Sequence, residues 1–292
     1  MRSARLDAQA KLNLFLRIVG REPSGYHQLS TLFQRIALAD DVTVRLTEHT
    51  RSLDCVGAKV GPVEDNLAWR AATAFTRTAR WPGGFAIEVI KRIPVGGGLG
   101  GGSADAAAVL RAMNALAPTP LSAASLREIA CTLGADVPYL LSEDALALGS
   151  GRGERLLACH PLPPRAILLA LPPFGVSSGE AFAWYAAAQG TGARFSSPVE
   201  LGMPLTWPLL AHHAVNDLEE PVFARHPSLA RLREGCEASG AEIARMSGSG
   251  STIFAVYSGG KRPSADPSFP DPDTRQIWTT SLEAVSQVRI AN

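Results

Sequence analysis

Six of the seven residues from 96 to 102 are glycine, within the segment PVGGGLGGGSA at residues 94–104. An alternating apolar stretch at residues 85–89 precedes the glycines and predicts a strand, and the Ala-rich stretch at 103–116 predicts a helix that Ser103 caps. Glycine permits positive φ and close approach of a ligand to the main chain, while a helix start supplies free N–H groups and a positive dipole end. The loop is therefore predicted to cradle an anion, most commonly a nucleotide phosphate.

Two other phosphate-binding loops do not fit these glycines. A Walker loop needs Lys and then Ser or Thr after its last glycine, and Ser103-Ala104 follow here. A dinucleotide-binding fingerprint is formally matched by Gly96, Gly98 and Gly101. It also needs a second strand ending in an acidic residue about 20 residues further on, where residues 119–123 indicate a helix start. A simple turn does not require so many glycines before a capped helix.

Lys11 and Asn13 lie on one face of a predicted strand at residues 10–19. The opposite face is apolar, which predicts a strand with one buried side. Only four of the 28 basic residues are Lys, and this one stands about 7 Å along the strand from an amide. Polar side chains inside an apolar element need partners, so Lys11 is a candidate functional cation, with a solvent-facing strand residue as the alternative.

Asp136 follows a predicted helix at residues 122–133, which Gly134 is expected to end in the left-handed conformation. The carboxylate either caps the next short helix, in which Pro138 stands near the start, or lies in a cleft near a cation and accepts a proton.

Two further segments leave alternatives open. The Gly/Ser turn at residues 246–251 either connects a helix tightly to a strand or gives a second backbone contact to phosphate or substrate. Tyr26 and His27, in a predicted turn, either stack on a ligand or are simply exposed.

Composition narrows the function classes. The net charge of +1 and the absence of a basic stripe argue against nucleic-acid and membrane-surface binding. The four Cys are scattered, the six His lack zinc-site spacing, and the purest apolar run is six residues, against the ~20 of a membrane helix. We expect a soluble cytoplasmic α+β protein in two parts, residues 1–157 and 158–292, with a cleft between them.

Five segments resemble the GHMP kinase superfamily: residues 10–34 (AKLNLFLRIVGREPSGYHQLSTLFQ), 94–107, 133–141, 214–223 and 246–257. AKLNL together with GYH indicates a member acting on the 2-hydroxyl of a cytidine diphosphate sugar alcohol in non-mevalonate isoprenoid biosynthesis. The resemblance implies the two-domain α+β kinase fold with the active site between domains. It also implies ATP with Mg²⁺ as cofactors and the small-molecule alcohol as partner.

The resemblance also assigns roles to residues. Asp136 matches the catalytic base and Lys11 the catalytic lysine beside it. Asn13, Tyr26, His27 and Asn66 match substrate-pocket positions, with Tyr26 and His27 at the cytosine end. The implied ATP-binding residues are Pro94, Val95, Gly96, Gly97, Gly98, Leu99, Gly100, Gly101, Gly102, Ser103 and Ala104.

The chain departs from the superfamily pattern in three places. Ala104 stands where a second Ser or Thr is usual, which leaves the metal ligands unknown. The second aromatic of the cytosine stack is ambiguous among Phe182, Trp184 and Tyr185. A Pro-rich loop at residues 258–273 replaces a helix. The alternatives are a mevalonate- or homoserine-type kinase of the same superfamily and a nucleotide-binding module without turnover.

Overall fold

The computed structural model describes residues 2–58, 60–189, 195–198, 204–260, 262–263, 267–269 and 271–291. It has the expected α+β architecture, built on two sheets. Two of the four lysines, Lys59 and Lys261, and part of the Pro-rich loop at 258–273 lie outside the described residues.

The first sheet has seven strands in the described part of the chain, and its centre is a long antiparallel pair. The main path runs β11-β1-β2-β4-β3, with β5 paired to β2 and β6 to β5. Its strands are β1 (Ser3–Arg21), β2 (His27–Thr47), β3 (Arg51–Val56), β4 (Gly84–Ile90), β5 (Leu146–Gly151), β6 (Arg155–Ala158) and β11 (Arg289–Ala291).

The expectation that β1 has one buried side is wrong. Every residue from 10 to 16 is buried, including Lys11 and Asn13 at 3% exposure each. The apolar side chains enter the core, while the glycine loop covers the other face, where the backbone N–H of Lys11 donates to the carbonyl of Leu99 at 3.0 Å. The polar pair therefore lies inside the protein.

Four helices pack around this sheet: α1 (Leu67–Thr78), α2 (Gly101–Leu116), α3 (Ala123–Leu133) and α4 (Val137–Leu141). The helix predicted at residues 122–133 is present as α3, with Ser122 as its N-cap, whose Oγ accepts from the N–H of Ser125 at 3.2 Å. Two local predictions are wrong. The cap of α2 is Gly100, at φ +73°, so Ser103 lies in the first turn, and Gly134 is extended at φ 170° rather than left-handed.

The second sheet has the order β10-β7-β9-β8. Its strands are β7 (Ala166–Leu171), β8 (Ile243–Met246), β9 (Ile253–Tyr257) and β10 (Arg275–Thr280), and its helices are α5 (Ser178–Gln189), α6 (Trp207–His213), α7 (Glu219–Phe223) and α8 (Pro227–Ala238). The Gly/Ser turn at 246–251 joins two antiparallel strands, β8 and β9, so the alternative of a tight helix-to-strand connection is wrong.

The division into residues 1–157 and 158–292 stays a prediction. Most strands of the first sheet lie in the first of these ranges, and all strands of the second sheet lie in the second range. Strand β6 continues to Ala158, and β11 returns from the C-terminal part to pair with β1. Within the described part of the chain, no helix has the length and apolar character needed to cross a bilayer.

Candidate active site

A cleft of about 1250 Å³ opens between the two sheets. Its lining includes glycines 98 and 100–102, the start of α2, residues of α5, and Gly248 and Ser249 of the Gly/Ser turn. Lys11, Asn13, Tyr26, His27, Ser103 and Asp136 all line it. The fold thus brings together most of the residues that the sequence singles out.

The ammonium group of Lys11 lies at the floor of this cleft with three acceptors around it. Nζ donates to Asn13 Oδ1 at 2.7 Å and to the carbonyl of Gly98 at 3.0 Å, and it lies 3.3 Å from Asp136 Oδ2. An ammonium has three N–H donors, so each has an acceptor. The solvent-facing alternative for Lys11 is wrong.

Asn13 has its amide orientation fixed by a hydroxyl on the neighbouring strand. Its Nδ2 donates to Thr31 Oγ1 at 2.8 Å, and that hydroxyl donates to the carbonyl of Phe15 at 2.7 Å. The chain of donors leaves Oδ1 to face Lys11. Asn13 thereby helps to hold the ammonium in place.

Asp136 stands immediately before α4, but its side chain makes no capping hydrogen bond. The carboxylate points into the cleft, beside Lys11, and its side chain keeps 30% exposure. The capping alternative is therefore wrong. A partly exposed carboxylate beside a buried ammonium is suited to accept a proton from a bound hydroxyl.

The glycine loop requires its glycines for two reasons. Gly96, Gly98 and Gly100 all have positive φ, and a Cβ on Gly98 would lie 2.1 Å from the carbonyl oxygen of Ser247. Ser247 Oγ also donates to the Gly98 carbonyl at 2.9 Å. The Gly/Ser turn therefore packs against the loop and supports it.

A buried charge cluster under the loop is not predicted by the sequence patterns. Lys91 contacts Asp40 and, at 2.6 Å, Asp105. Asp40 also accepts from the backbone N–H of Ile93 at 2.8 Å, just before the loop. The available signal is that Lys91 is one of few lysines and stands a few residues before the glycines, but its partners lie in two other segments, one on each side of it in the sequence.

These charges perturb one another. Burial works against protonated Lys91, but the two carboxylates outweigh it and raise its pKa. Burial raises the pKa of Asp105 to about 7, partly offset by Lys91. Asp105 Oδ1 has no hydrogen-bond partner, which fits a cluster with two carboxylates for one ammonium.

Asp105→Asn is expected to change how stability depends on pH. Because the pKa of Asp105 is higher in the folded than in the unfolded chain, the native state binds its proton more tightly, so stability falls as pH rises from about 4 to about 7. The Asn variant should lose this contribution, so that its unfolding free energy declines less over that range. Urea unfolding at several pH values measures it, and parallel pH curves for the two proteins contradict it.

The far end of the cleft carries aromatic rings. The ring of His27 stacks on Phe182, with centroids 5.2 Å apart, and burial together with Arg21 lowers the pKa of His27. Tyr26 is 58% exposed, and the Arg152 guanidinium lies 3.9 Å from its ring centroid. Among the three candidate aromatics, Phe182 lines the cleft, while Trp184 contacts His226.

Asn66 does not reach the main cleft. Its Oδ1 caps α1 by accepting from the N–H of Ala68 at 2.9 Å, and it lines a second cavity of about 260 Å³ at the glycine loop. Lys91, Asp105 and the loop segment 93–102, which includes Pro94, Val95, Gly97 and Leu99, line the same cavity. The main cleft therefore does not include Asn66, and its role in a substrate pocket stays a prediction. Ala104 is buried at 3% exposure.

Metal-ligating groups are few. No group of three or more His, Cys, Asp or Glu side chains suited to a metal occurs among the described residues. Mg²⁺ commonly keeps several waters and binds through one or two carboxylates and substrate phosphates. The Ser103 hydroxyl and the Asp136 carboxylate, both lining the cleft, fit such an ion carried by a nucleotide.

Comparison with known proteins shows the family of this chain. Residues 66–143 match the family model "GHMP kinases N terminal domain", and residues 205–267 match "GHMP kinases C terminal". The chain is 38% identical over 267 residues to the 4-diphosphocytidyl-2-C-methyl-D-erythritol kinase of Solibacter usitatus, covering 88% of this chain and 82% of the relative.

Solved structures of kinases also align with this chain. A crystal structure of 4-(cytidine 5'-diphospho)-2C-methyl-D-erythritol kinase aligns with a TM-score of 0.75 at 34% identity, covering 95% of this chain and 98% of the other. A homoserine kinase from Cytophaga hutchinsonii aligns with a TM-score of 0.65 at 16% identity, covering 99% and 97%. The second likeness concerns the fold alone.

Proposed function

Because this chain belongs to the 4-diphosphocytidyl-2-C-methyl-D-erythritol kinase family of GHMP kinases, we propose that it transfers the γ-phosphoryl group of ATP to the 2-hydroxyl of that compound. The observation that carries the proposal is the contact of Lys11 with both the Gly98 carbonyl and Asp136. It joins a phosphate-binding loop and a candidate base in one cleft.

Asp136 is the proposed base. Its carboxylate accepts the proton of the substrate hydroxyl as the oxygen attacks the γ-phosphorus, and the bond from that phosphorus to the bridging oxygen of the β-phosphate breaks, which releases ADP. Lys11 keeps a positive charge beside the carboxylate and close to the transferred group. Phosphoryl transfer depends mainly on positioning and electrostatic stabilisation, and this pair with the backbone of the loop supplies both.

The phosphates of ATP are proposed to lie on the glycine loop and the N-terminus of α2, whose free N–H groups favour anions. The second cavity, with Asn66, opens on the same loop and is proposed to take the nucleoside end. Mg²⁺ bound with the nucleotide neutralises phosphate charge. On the protein side, the Ser103 hydroxyl is proposed to hold this ion, which leaves Asp136 free to act as the base.

Phe182→Ala is expected to raise the KM for the cytidine substrate by about 5- to 150-fold, because an aromatic stack on a base contributes about 1–3 kcal/mol. We propose that the cytosine lies between the rings of Tyr26 and Phe182. Arg152 contacts the Tyr26 ring and is itself held by its ion pair with Glu22 at 2.6 Å. Steady-state kinetics measure KM, and the KM for ATP should not change. Trp184→Phe serves as the control; an equal effect in both variants contradicts the assignment.

The proposed function is tested with purified protein, ATP and three alcohols: 4-diphosphocytidyl-2-C-methyl-D-erythritol, mevalonate and homoserine. We expect ATP consumption with the first alone. Turnover that is indifferent to the cytidyl group supports the other superfamily kinases, and ATP binding without phosphorylation of any alcohol supports a module without turnover.

A further inference from the structure

We propose that Arg35 is a positioning residue for the candidate base: it fixes the segment that carries Asp136 and so sets the distance between that carboxylate and Lys11. The inference rests on the proposed role of Asp136. It concerns a side chain that touches neither ligand cavity and that the sequence patterns did not single out.

Arg35 is a buried cation whose hydrogen bonds in the described structure go to carbonyls, and its guanidinium carbon lies 5.1 Å from the centroid of the Tyr139 ring. It is 2% exposed. Nη2 donates to the carbonyls of Tyr139, Leu140 and Ser142 at 2.8–2.9 Å, and Nε donates to that of Asp144 at 3.1 Å. Burial lowers its pKa to about 10, so it stays charged at neutral pH. Such a desolvated charge is costly unless its partners are held in place.

Those carbonyls belong to the C-terminal end of α4 and the turn after it, and Asp136 stands at the other end of the same helical turn. The backbone N–H of Leu140 donates to the carbonyl of Asp136 at 3.1 Å, and the carbonyl of Tyr139, which belongs to the same peptide group as that N–H, accepts from Arg35 Nη2 at 2.9 Å. One peptide group thus separates the guanidinium from the backbone of the base. A cation at a helix C-terminus also suits the helix dipole.

The sheet fixes the other half of the geometry. Arg35 on β2 pairs directly with Lys11 on β1, and opposite residues of an antiparallel pair point to the same face. Two residues before Arg35, Phe33 stacks on Tyr139 with centroids 4.7 Å apart; two before that, Thr31 orients Asn13. Thr31, Phe33 and Arg35 therefore lie on one face of β2. The first orients Asn13, which contacts Lys11, and the other two contact residues of α4.

The guanidinium is suited to this task because it presents several donors in a rigid planar fork. A lysine at this position keeps the charge, but its single ammonium nitrogen cannot occupy the positions of both Nε and Nη2, so it cannot keep the contact with Asp144 together with those to Tyr139, Leu140 and Ser142. The expected result is a small shift of Asp136, and a misplacement of about 1 Å can cost about 100-fold in rate.

The test is a double-mutant cycle on kcat with wild type, Arg35→Lys, Asp136→Asn and the double variant, at saturating ATP and cytidine substrate, using ³²P transfer to follow the slow variants. We expect Arg35→Lys to lower kcat by roughly 10- to 100-fold in the wild-type background, with both KM values within about threefold. In the Asp136→Asn background the same change should cost less than about threefold, because the group that Arg35 positions no longer acts.

Leu232→Val, in the core beneath the second sheet, controls for stability: it should lower the melting temperature and leave kcat unchanged. Equal losses in both backgrounds, or wild-type kcat in Arg35→Lys, overturn the proposal. A slow Asp136→Asn enzyme with an additive cycle overturns only the role of Arg35, whereas wild-type kcat in Asp136→Asn overturns the base assignment as well. If Arg35→Lys does not fold, Arg35→Gln replaces it, and failure of both to fold counts against the proposal because it assigns Arg35 to stability.

Discussion

Asp136→Asn is expected to lower kcat by about 10²- to 10⁴-fold, the usual contribution of a positioned general base, while both KM values change by less than about threefold. The amide keeps the size of the carboxylate but cannot take the proton of the attacking hydroxyl. It also removes the negative charge 3.3 Å from Lys11 Nζ. Steady-state kinetics at saturating ATP and alcohol give kcat directly.

Asp54→Asn, an exposed carboxylate on β3, is the matched control and should behave as wild type. A wild-type kcat in Asp136→Asn contradicts the assignment of the base. A large rise in the KM for the alcohol with unchanged kcat also contradicts it, because that pattern shows a residue that binds substrate equally in ground and transition states.

Gly98→Ala is expected to lower the unfolding free energy by about 2–5 kcal/mol, from about 1–2 kcal/mol of left-handed backbone strain and about 1–3 kcal/mol of overpacking. Gly98 has φ +73°, and the added Cβ would meet the carbonyl oxygens of Ser247 and Gly250 at 2.1 and 2.9 Å. Relief requires the loop to move away from the Gly/Ser turn. The folded protein should then bind ATP more weakly, and movement of the loop should separate the Gly98 carbonyl from Lys11.

Gly240→Ala separates strain from collision. Gly240 has φ +89° with nothing within 4 Å of an added Cβ, so it should cost about 1–2 kcal/mol of backbone strain and leave kinetics unchanged. Urea unfolding and the KM for ATP measure both variants. Equal stabilities with an unchanged KM for ATP in Gly98→Ala contradict the close contact between the loop and the turn.

The parts of the site that the sequence predicts are those with local signals. The run of glycines predicts the loop because few other structures need so many consecutive glycines. Lys11 and Asn13 can be singled out because these polar residues interrupt an apolar strand. Each inference depends on residues within a few positions of one another, and the structure retains the features that such spacing determines.

The parts that the sequence does not predict depend on distant pairings. The Lys91 cluster joins residues 40, 91 and 105, and Arg35 bonds to a segment more than 100 residues further along. Strand β8 is only four residues long and β11 three, too short for an alternating pattern to be recognised. Gly100 replaces Ser103 as the cap of α2 because its positive φ turns the chain into the helix one turn earlier.

Identification of the phosphorylated product tests the central claim most directly. Purified protein, ATP and 4-diphosphocytidyl-2-C-methyl-D-erythritol are incubated, and ³¹P NMR with mass spectrometry locates the new phosphate. The account predicts one added phosphoryl group, as a monoester on the 2-hydroxyl, formed only with ATP present. Absence of product with a folded protein, or a phosphate on another hydroxyl, contradicts it.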